Sequence, residues 1–437
     1  MQMKRAFRGS EVGKCLGRGC LAGFARDLYR WRVGGRVPSR RRSGVAVAAL
    51  AMVMASCGSA AQHAVQPPSS STPTSAAAVP SITTAQPHML SAGQVGQRSD
   101  VPWSLVGPGW LLAKWAPTAA QPAADLTTAN PPGTVLFLVD PLGGRYALAT
   151  AASIPNGDPV AWSGDSKRAL FLTRFGGGAE VELTVLDLAT GSTPSFTLPA
   201  TGQFPTFTRP DGKAIFSAAS NGIPARRFAL TGDIQFTFPA SYDLTGAIRG
   251  GSYSPDGSEL AFDTTTAGIA LVRNDGLLLR FLQIPVPGVC TTLRWWNADE
   301  ILAVCGSSAE PSLWLIPSDG RAPSRLGPGQ NAWQLSTGVY SRTGSCHMDT
   351  CLFGLLRLGP NGTSEIVAVP DQWRFENVSS LGAFRNRLAV FIAPKSLTGS
   401  GGQSGGFVDW FDPLAGTVTP LLGGSVNGGS VNSALML

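Results

Sequence analysis

A chain of 437 residues with 53 glycines, 33 prolines and only 14% charged side chains holds too many turn-formers for a helical bundle, while 43% hydrophobic content suffices for a sizeable core. The formal charge of +7 suggests a nucleic-acid partner until it is located: the first 44 residues hold 12 Lys or Arg against Glu11 and Asp27 alone. The rest of the chain keeps 22 basic and 25 acidic side chains, which leaves no clustered footprint for phosphates and excludes nucleic acid as a partner.

In chain order, the first feature is a leader over residues 1–56. Arg40-Arg41-Arg42 precedes an uncharged apolar run over 45–55, and Met54-Ala55-Ser56-Cys57 follows. A basic flank, a short apolar core and small residues before a cut mark a secretory signal; eleven residues are too few to span a bilayer. The cysteine in this position resembles the lipobox of bacterial lipoproteins, with Met54 where leucine is usual. That resemblance implies that Cys57 carries lipid and anchors the exported chain to the outer face of the cytoplasmic membrane, in the cell envelope. A translation start near Val37 would give the signal its usual length.

Residues 57–99 are Ala, Ser, Thr, Pro and Gln with hardly any large apolar side chain, as in Pro67-Pro68-Ser69-Ser70-Ser71-Thr72-Pro73-Thr74. Such a segment buries too little surface to offset its ordering entropy and reads as a disordered tether.

From residue 100 onward the chain repeats. The clearest unit is Ser252-Tyr253-Ser254-Pro255-Asp256-Gly257-Ser258-Glu259-Leu260-Ala261-Phe262, two apolar strands around a Pro-Asp-Gly turn. Related turns stand at 107–109, 163–166, 209–212, 297–299, 337–338 and 385–386. A second marker, an apolar strand running into a glycine turn, follows each one, at 138–143, 186–191, 230–232, 273–276, 317–320, 359–362 and 411–416. Two interleaved sets of seven hairpins, one pair about every 46 residues, mean four strands per unit. The expectation is an all-β, seven-bladed β-propeller of four-stranded antiparallel blades over 100–424, with 425–437 a flexible tail. Because both hairpin sets run complete, the ring is expected to close without a blade shared between distant segments. The blade of residues 103–150 should lie beside that of 375–422.

The Ser-Pro-Asp-Gly turn, the apolar strand after it and the Asp-x-x-x-Gly hairpin resemble the repeats of TolB-type periplasmic propellers and of WD-repeat-like envelope propellers. A non-enzymatic binding role is what that resemblance implies. The separate N-terminal domain of TolB itself has no counterpart, the tether standing in its place.

No catalytic constellation is visible. His63 and His88 fall in the tether, leaving His347 as the only histidine for a catalytic or metal site with Cys346, Asp349 and Cys351. In an exported chain a disulfide is the better use of those two cysteines. Glu180 and Glu182 read as a solvated hairpin edge, and Trp295 and Trp296 as packing between blades on opposite faces of one strand. Neither a cofactor nor a metal is expected. The function expected is a protein- or glycan-binding scaffold at the envelope, the alternative a propeller hydrolase or lactonase.

Four cysteines remain in the body: Cys290, Cys305, Cys346 and Cys351. A hairpin turning about Asn297-Ala298 sets Cys290 opposite Cys305, within reach of a disulfide, and a tight turn brings Cys346 to Cys351.

Overall fold

The computed structural model describes residues 88–437 except 118–129, 175–179, 200–204, 218–223, 240–251, 265–267, 287–289, 308–309, 345, 348–349, 352, 394–404 and 425. They belong to the second of two compact units, Ile82–Leu437. The only helices among them are short 3-10 turns, and none is long and apolar enough to cross a membrane.

Strands come in sevenfold repetition. Blade 1 contains β1 (Val95–Gln97), β2 (Leu111–Ala116), β3 (Val135–Val139) and β4 (Arg145–Thr150). Blade 2 contains β5 (Asp158–Trp162), β6 (Arg168–Arg174), β7 (Glu180–Asp187) and β8 (Ser195–Pro199). Blade 3 contains β9 (Thr206–Phe207), β10 (Ala214–Ser217), β11 (Arg226–Ala229) and β12 (Ile234–Thr237). Blade 4 contains β13 (Ser252–Tyr253), β14 (Glu259–Asp263), β15 (Gly268–Arg273) and β16 (Leu278–Gln283). Blade 5 contains β17 (Cys290–Trp295), β18 (Glu300–Cys305), β19 (Ser312–Pro317) and β20 (Ser324–Pro328). Blade 6 contains β21 (Asn331–Leu335), β22 (Gly338–Thr343), β25 (Gly354–Leu358) and β26 (Ser364–Val367), with the small pair β23 (Cys346–His347) and β24 (Thr350–Cys351) inserted. Blade 7 contains β27 (Asn377–Phe384), β28 (Arg387–Ala393), β29 (Phe407–Asp412) and β30 (Thr417–Leu422), and β31 (Ser430–Met436) follows.

Blades 2 to 7 are each a simple antiparallel meander from first strand to fourth. Neighbouring first strands touch, β5 with β9, β13 with β17, β21 with β27, so they form the inner wall of the ring. The third-to-fourth hairpin of every blade turns on a glycine with positive φ: Gly143, Gly191, Gly232, Gly276, Gly320, Gly362 and Gly416. These are the seven glycines of the second sequence marker, and only glycine holds that conformation without a Cβ penalty.

Strand periodicity places the core. Alternate residues of a strand face opposite sides of its blade, so along β6 Ala169 and Phe171 pack toward blade 1 while Leu170 packs toward blade 3. Seven apolar clusters result, one in each gap between consecutive blades. They are unequal. Among the described residues, the gap between blades 1 and 2 buries fourteen apolar side chains, and the gap between blades 5 and 6 buries Leu302, Leu313 and Ala332. There a polar clamp adds to the packing: Arg294 Nη1 donates to Asn331 Oδ1 at 2.6 Å, Nη2 donates to the Ala332 carbonyl, and the guanidinium lies over the Trp296 and Trp333 rings.

Closure of the ring departs from expectation. Residues 425–437 are not a flexible tail: β31 pairs antiparallel with β2 from Leu111↔Met436 to Ala116↔Ser430, completing blade 1 as its inner strand. Leu437 N donates to Trp110 O at 3.0 Å and Trp162 Nε1 donates to Leu435 O at 3.4 Å. Blade 1 is therefore shared between distant parts of the chain. The turn at 107–109 enters β2 with no strand before it, so the first set holds six true hairpins and one look-alike. The alternation that makes β31 a strand is masked in sequence by its small and polar residues, and only Ser430 and Val431 are fully buried. At the other end the sheet begins before residue 100, since β1 pairs parallel to β4. The expected adjacency does hold: blades 7 and 1 share a cluster containing Leu111, Phe137, Val408 and Trp410.

Candidate binding site in the axial cavity

The first-to-second-strand turns of blades 2, 3 and 4 share one design. In blade 4 the Ser254 hydroxyl donates to Asp256 Oδ1 at 2.6 Å and accepts the Glu259 amide at 3.0 Å, while Asp256 Oδ1 accepts the Ser258 amide. Ser163 and Asp165 repeat this in blade 2, with Ser166 taking the left-handed position at φ +60°. In blade 3 Thr208 replaces the serine, and its hydroxyl accepts the amide of Ala214, six residues on rather than five. The spare residue of this longer turn leads to Arg209.

These turns interlock. A Cβ on Gly164 would overlap the Pro210 carbonyl, and one on Gly257 the Arg209 carbonyl, so the backbone at Arg209-Pro210 is held between the turns of blades 2 and 4. Above them lies an axial cavity of about 450 Å³, of ligand-binding size. Inner strands of four blades line it: Val160 from β5, Thr206 and Phe207 from β9, Ser252 and Tyr253 from β13, and Leu293, Arg294 and Trp295 from β17. Pro205, Arg209, Ser254 and Pro255 complete the wall. Val160 and Leu293 are the extra residues of two strand bulges, which turn their side chains into the cavity. Trp295 is fixed by its indole N–H donating to Ser252 O at 2.8 Å, and its amide donates to Ser252 Oγ at 3.2 Å. Burial pushes the Arg209 guanidinium below its usual pKa.

Cys290 and Cys305 stand opposite each other with Cα atoms 4.1 Å apart and their sulfurs bonded. The expected numbering holds from Cys290 to Thr292, but the turn takes three residues, 297–299, instead of two. The bulge at Leu293 absorbs the difference, so Cys290 still faces Cys305 although the turn is one residue longer. Cys346 and Cys351 are likewise opposed between β23 and β24, while their side chains and that of His347 lie outside the described residues, as does Cys57. Glu180 is exposed and Glu182 half-buried at the start of β7. Trp295 packs toward blade 4 and Trp296 toward blade 6. No group of three or more metal-ligating side chains occurs among the described residues.

Sequence reading did not single out Arg209, Arg294 or Ser252. Arg209 stands in a turn that the repeat pattern marks, as the extra residue between Thr208 and Pro210, but its approach to the axis follows only from blade register.

No family model matches the chain, and no curated protein sequence matches it either. Among solved structures it is similar to TolB from Acinetobacter baumannii, at 14% identity and a TM-score of 0.37 over 59% of this chain and 65% of that one. It is also similar to a prolyl endopeptidase, at 14% identity and 0.43 over 66% and 46%. A third is a putative 6-phosphogluconolactonase from Bacteroides fragilis, at 15% identity and 0.45 over 75% and 97%. The chain thus spans less than two thirds of the first two.

Proposed function

We propose that this protein is a cell-envelope lipoprotein, anchored by lipid on Cys57, whose propeller binds a protein or glycan partner without catalysis. The observation that carries the reading is the make-up of the axial cavity. Arginine, serine and threonine groups stand there beside the apolar side chains of Val160 and Leu293, a lining that grips a ligand through hydrogen bonds and apolar contact. The exposed Pro210 beside Arg209 puts the rim of that cavity within reach of a large partner.

A photo-crosslinking residue at position 210, introduced in growing cells, tests this reading. A discrete adduct is expected, weakened in an Arg209→Glu variant and released from the membrane fraction in a Cys57→Ala variant. A chain that forms no adduct there and instead turns over ester, lactone or peptide substrates would make the hydrolase reading correct.

A further inference from the structure

Several arginines of the ring are committed to a neighbouring blade. Arg168 Nη1 donates to Gly212 O at 2.8 Å, Arg227 Nη1 donates to Asn274 O at 2.7 Å, and Arg294 holds Asn331 and Ala332. Each ties one blade to the next, so its charge is spent on structure. Arg209 is different. It is half-buried in the cavity wall, and among the described residues no carbonyl accepts from it and no carboxylate pairs with it. A guanidinium offers five N–H donors in a planar fork matched to an oxyanion, and withdrawing it from water without a partner is costly.

The rest of the wall fits the same ligand. None of the described residues lining the cavity is acidic, so no carboxylate among them competes for the cation. The Ser252 hydroxyl accepts the Trp295 amide, and its own hydrogen has no acceptor among the described residues. Facing these donors are the apolar side chains of Val160, Pro255 and Leu293, none of them fully buried. A ligand matching the whole wall carries one anionic head and a mainly apolar body.

We infer that the axial cavity is a small-molecule site for an amphipathic oxyanion, whose carboxylate or phosphate is held by Arg209 and Ser252 and whose body lies against Val160 and Leu293. This rests on the cavity being a binding site, but requires neither the lipid anchor nor a macromolecular partner. The site commits the propeller to sensing or carrying a solute.

Calorimetric titration of the purified full chain with octanoate, octyl phosphate, octanol and octylamine tests the inference. Saturable one-site binding of octanoate or octyl phosphate is expected, and the preferred arm tells which head the site takes. Octanol and octylamine should bind at least about tenfold more weakly, the order expected for loss of a charge-assisted pair. Arg209→Gln should abolish that preference, and Arg209→Lys, which keeps the charge but not the fork, should restore part of it. Octanol binding as well as octanoate, either oxyanion binding Arg209→Gln unchanged while that variant unfolds at the wild-type temperature, or no binding by either oxyanion, would overturn it. A failed titration beside a position-210 adduct removes the solute site and leaves the scaffold reading standing; the opposite pattern does the reverse.

Discussion

Blade 4 and blade 1 share a four-stranded antiparallel meander, assembled by different routes, and blade 1 adds the parallel strand β1 at its outer edge. Blade 4 runs in one pass from Ser252 to Gln283, turning at Gly257 and again at Gly276. Blade 1 takes four strands, β1 to β4, from one part of the chain and its inner strand, β31, from another; Trp115 Nε1 donates to Gly428 O across 313 residues. The local blade owes its order to turn chemistry and needs no distant partner to complete its sheet. The closing blade owes its order to pairing that no turn enforces, so the strength of the ring is concentrated where the sequence is least explicit.

Removing β31 should be the most damaging change. A chain lacking residues 430–437 loses the inner strand of blade 1 and uncovers Leu111, Ala113 and Val408, all buried within 1% exposure. The expected loss exceeds about 5 kcal/mol, comparable to the whole stability of a domain, and urea unfolding should lose its single cooperative transition. Removing residues 88–97, which take away the outer strand β1 of the same blade, should cost far less. Equal effects would show that closure contributes nothing special.

A smaller effect separates the turns. Gly257 in blade 4 and Gly109 in blade 1 both have positive φ, +75° and +91°. A Cβ on Gly257 meets the Arg209 backbone carbonyl, which cannot move without disturbing the neighbouring turn, whereas a Cβ on Gly109 meets the Phe384 ring. Gly257→Ala should therefore cost about 3 kcal/mol or more and Gly109→Ala about 1–2 kcal/mol, read from urea midpoints.

The mildest test uses pH. Asp263, at the end of β14, is 3% exposed and accepts the Thr292 amide of blade 5 at 2.6 Å; burial raises its pKa to about 6. With the folded value above the unfolded one, the native state holds the extra proton between about pH 4 and 6, so stability falls as pH rises through that window. Asp263→Asn keeps an acceptor for Thr292 and cannot ionise. It should stabilise the protein by on the order of 1–2 kcal/mol at pH 7.5 and by almost nothing at pH 4. Thermal unfolding at the two pH values measures the difference; a larger gain at the lower pH would contradict it.

Most of the architecture was legible because turn residues report backbone conformation directly. Gly143 through Gly416 mark seven hairpins because each needs positive φ, and Pro255-Asp256-Gly257 announces its turn through side-chain hydrogen bonds. Misreadings arose where one residue pattern serves two geometries. Gly107-Pro108-Gly109 makes a tight turn without joining two strands, and Ser430–Met436 alternates too weakly to announce a strand. The candidate site was hardly legible at all. Whether an arginine is spent on a neighbouring carbonyl, like Arg168, or left facing the axis, like Arg209, depends on a one-residue difference in turn length that only the register of adjacent blades exposes.

The pairing of β2 with β31 also fixes an order of events. A ribosome delivers β2 early and β31 only after the other six blades, and through that interval the first sheet waits with a bare inner edge. The entropic cost of joining segments so far apart grows only with the logarithm of their separation, so distance takes little from the finished ring. What distance governs is timing: the seam is the contact of greatest sequence separation, and every blade can form its own hairpins while the circle stays open. Whatever the order of the other blades, the circle cannot be complete until the last strand of the chain has arrived.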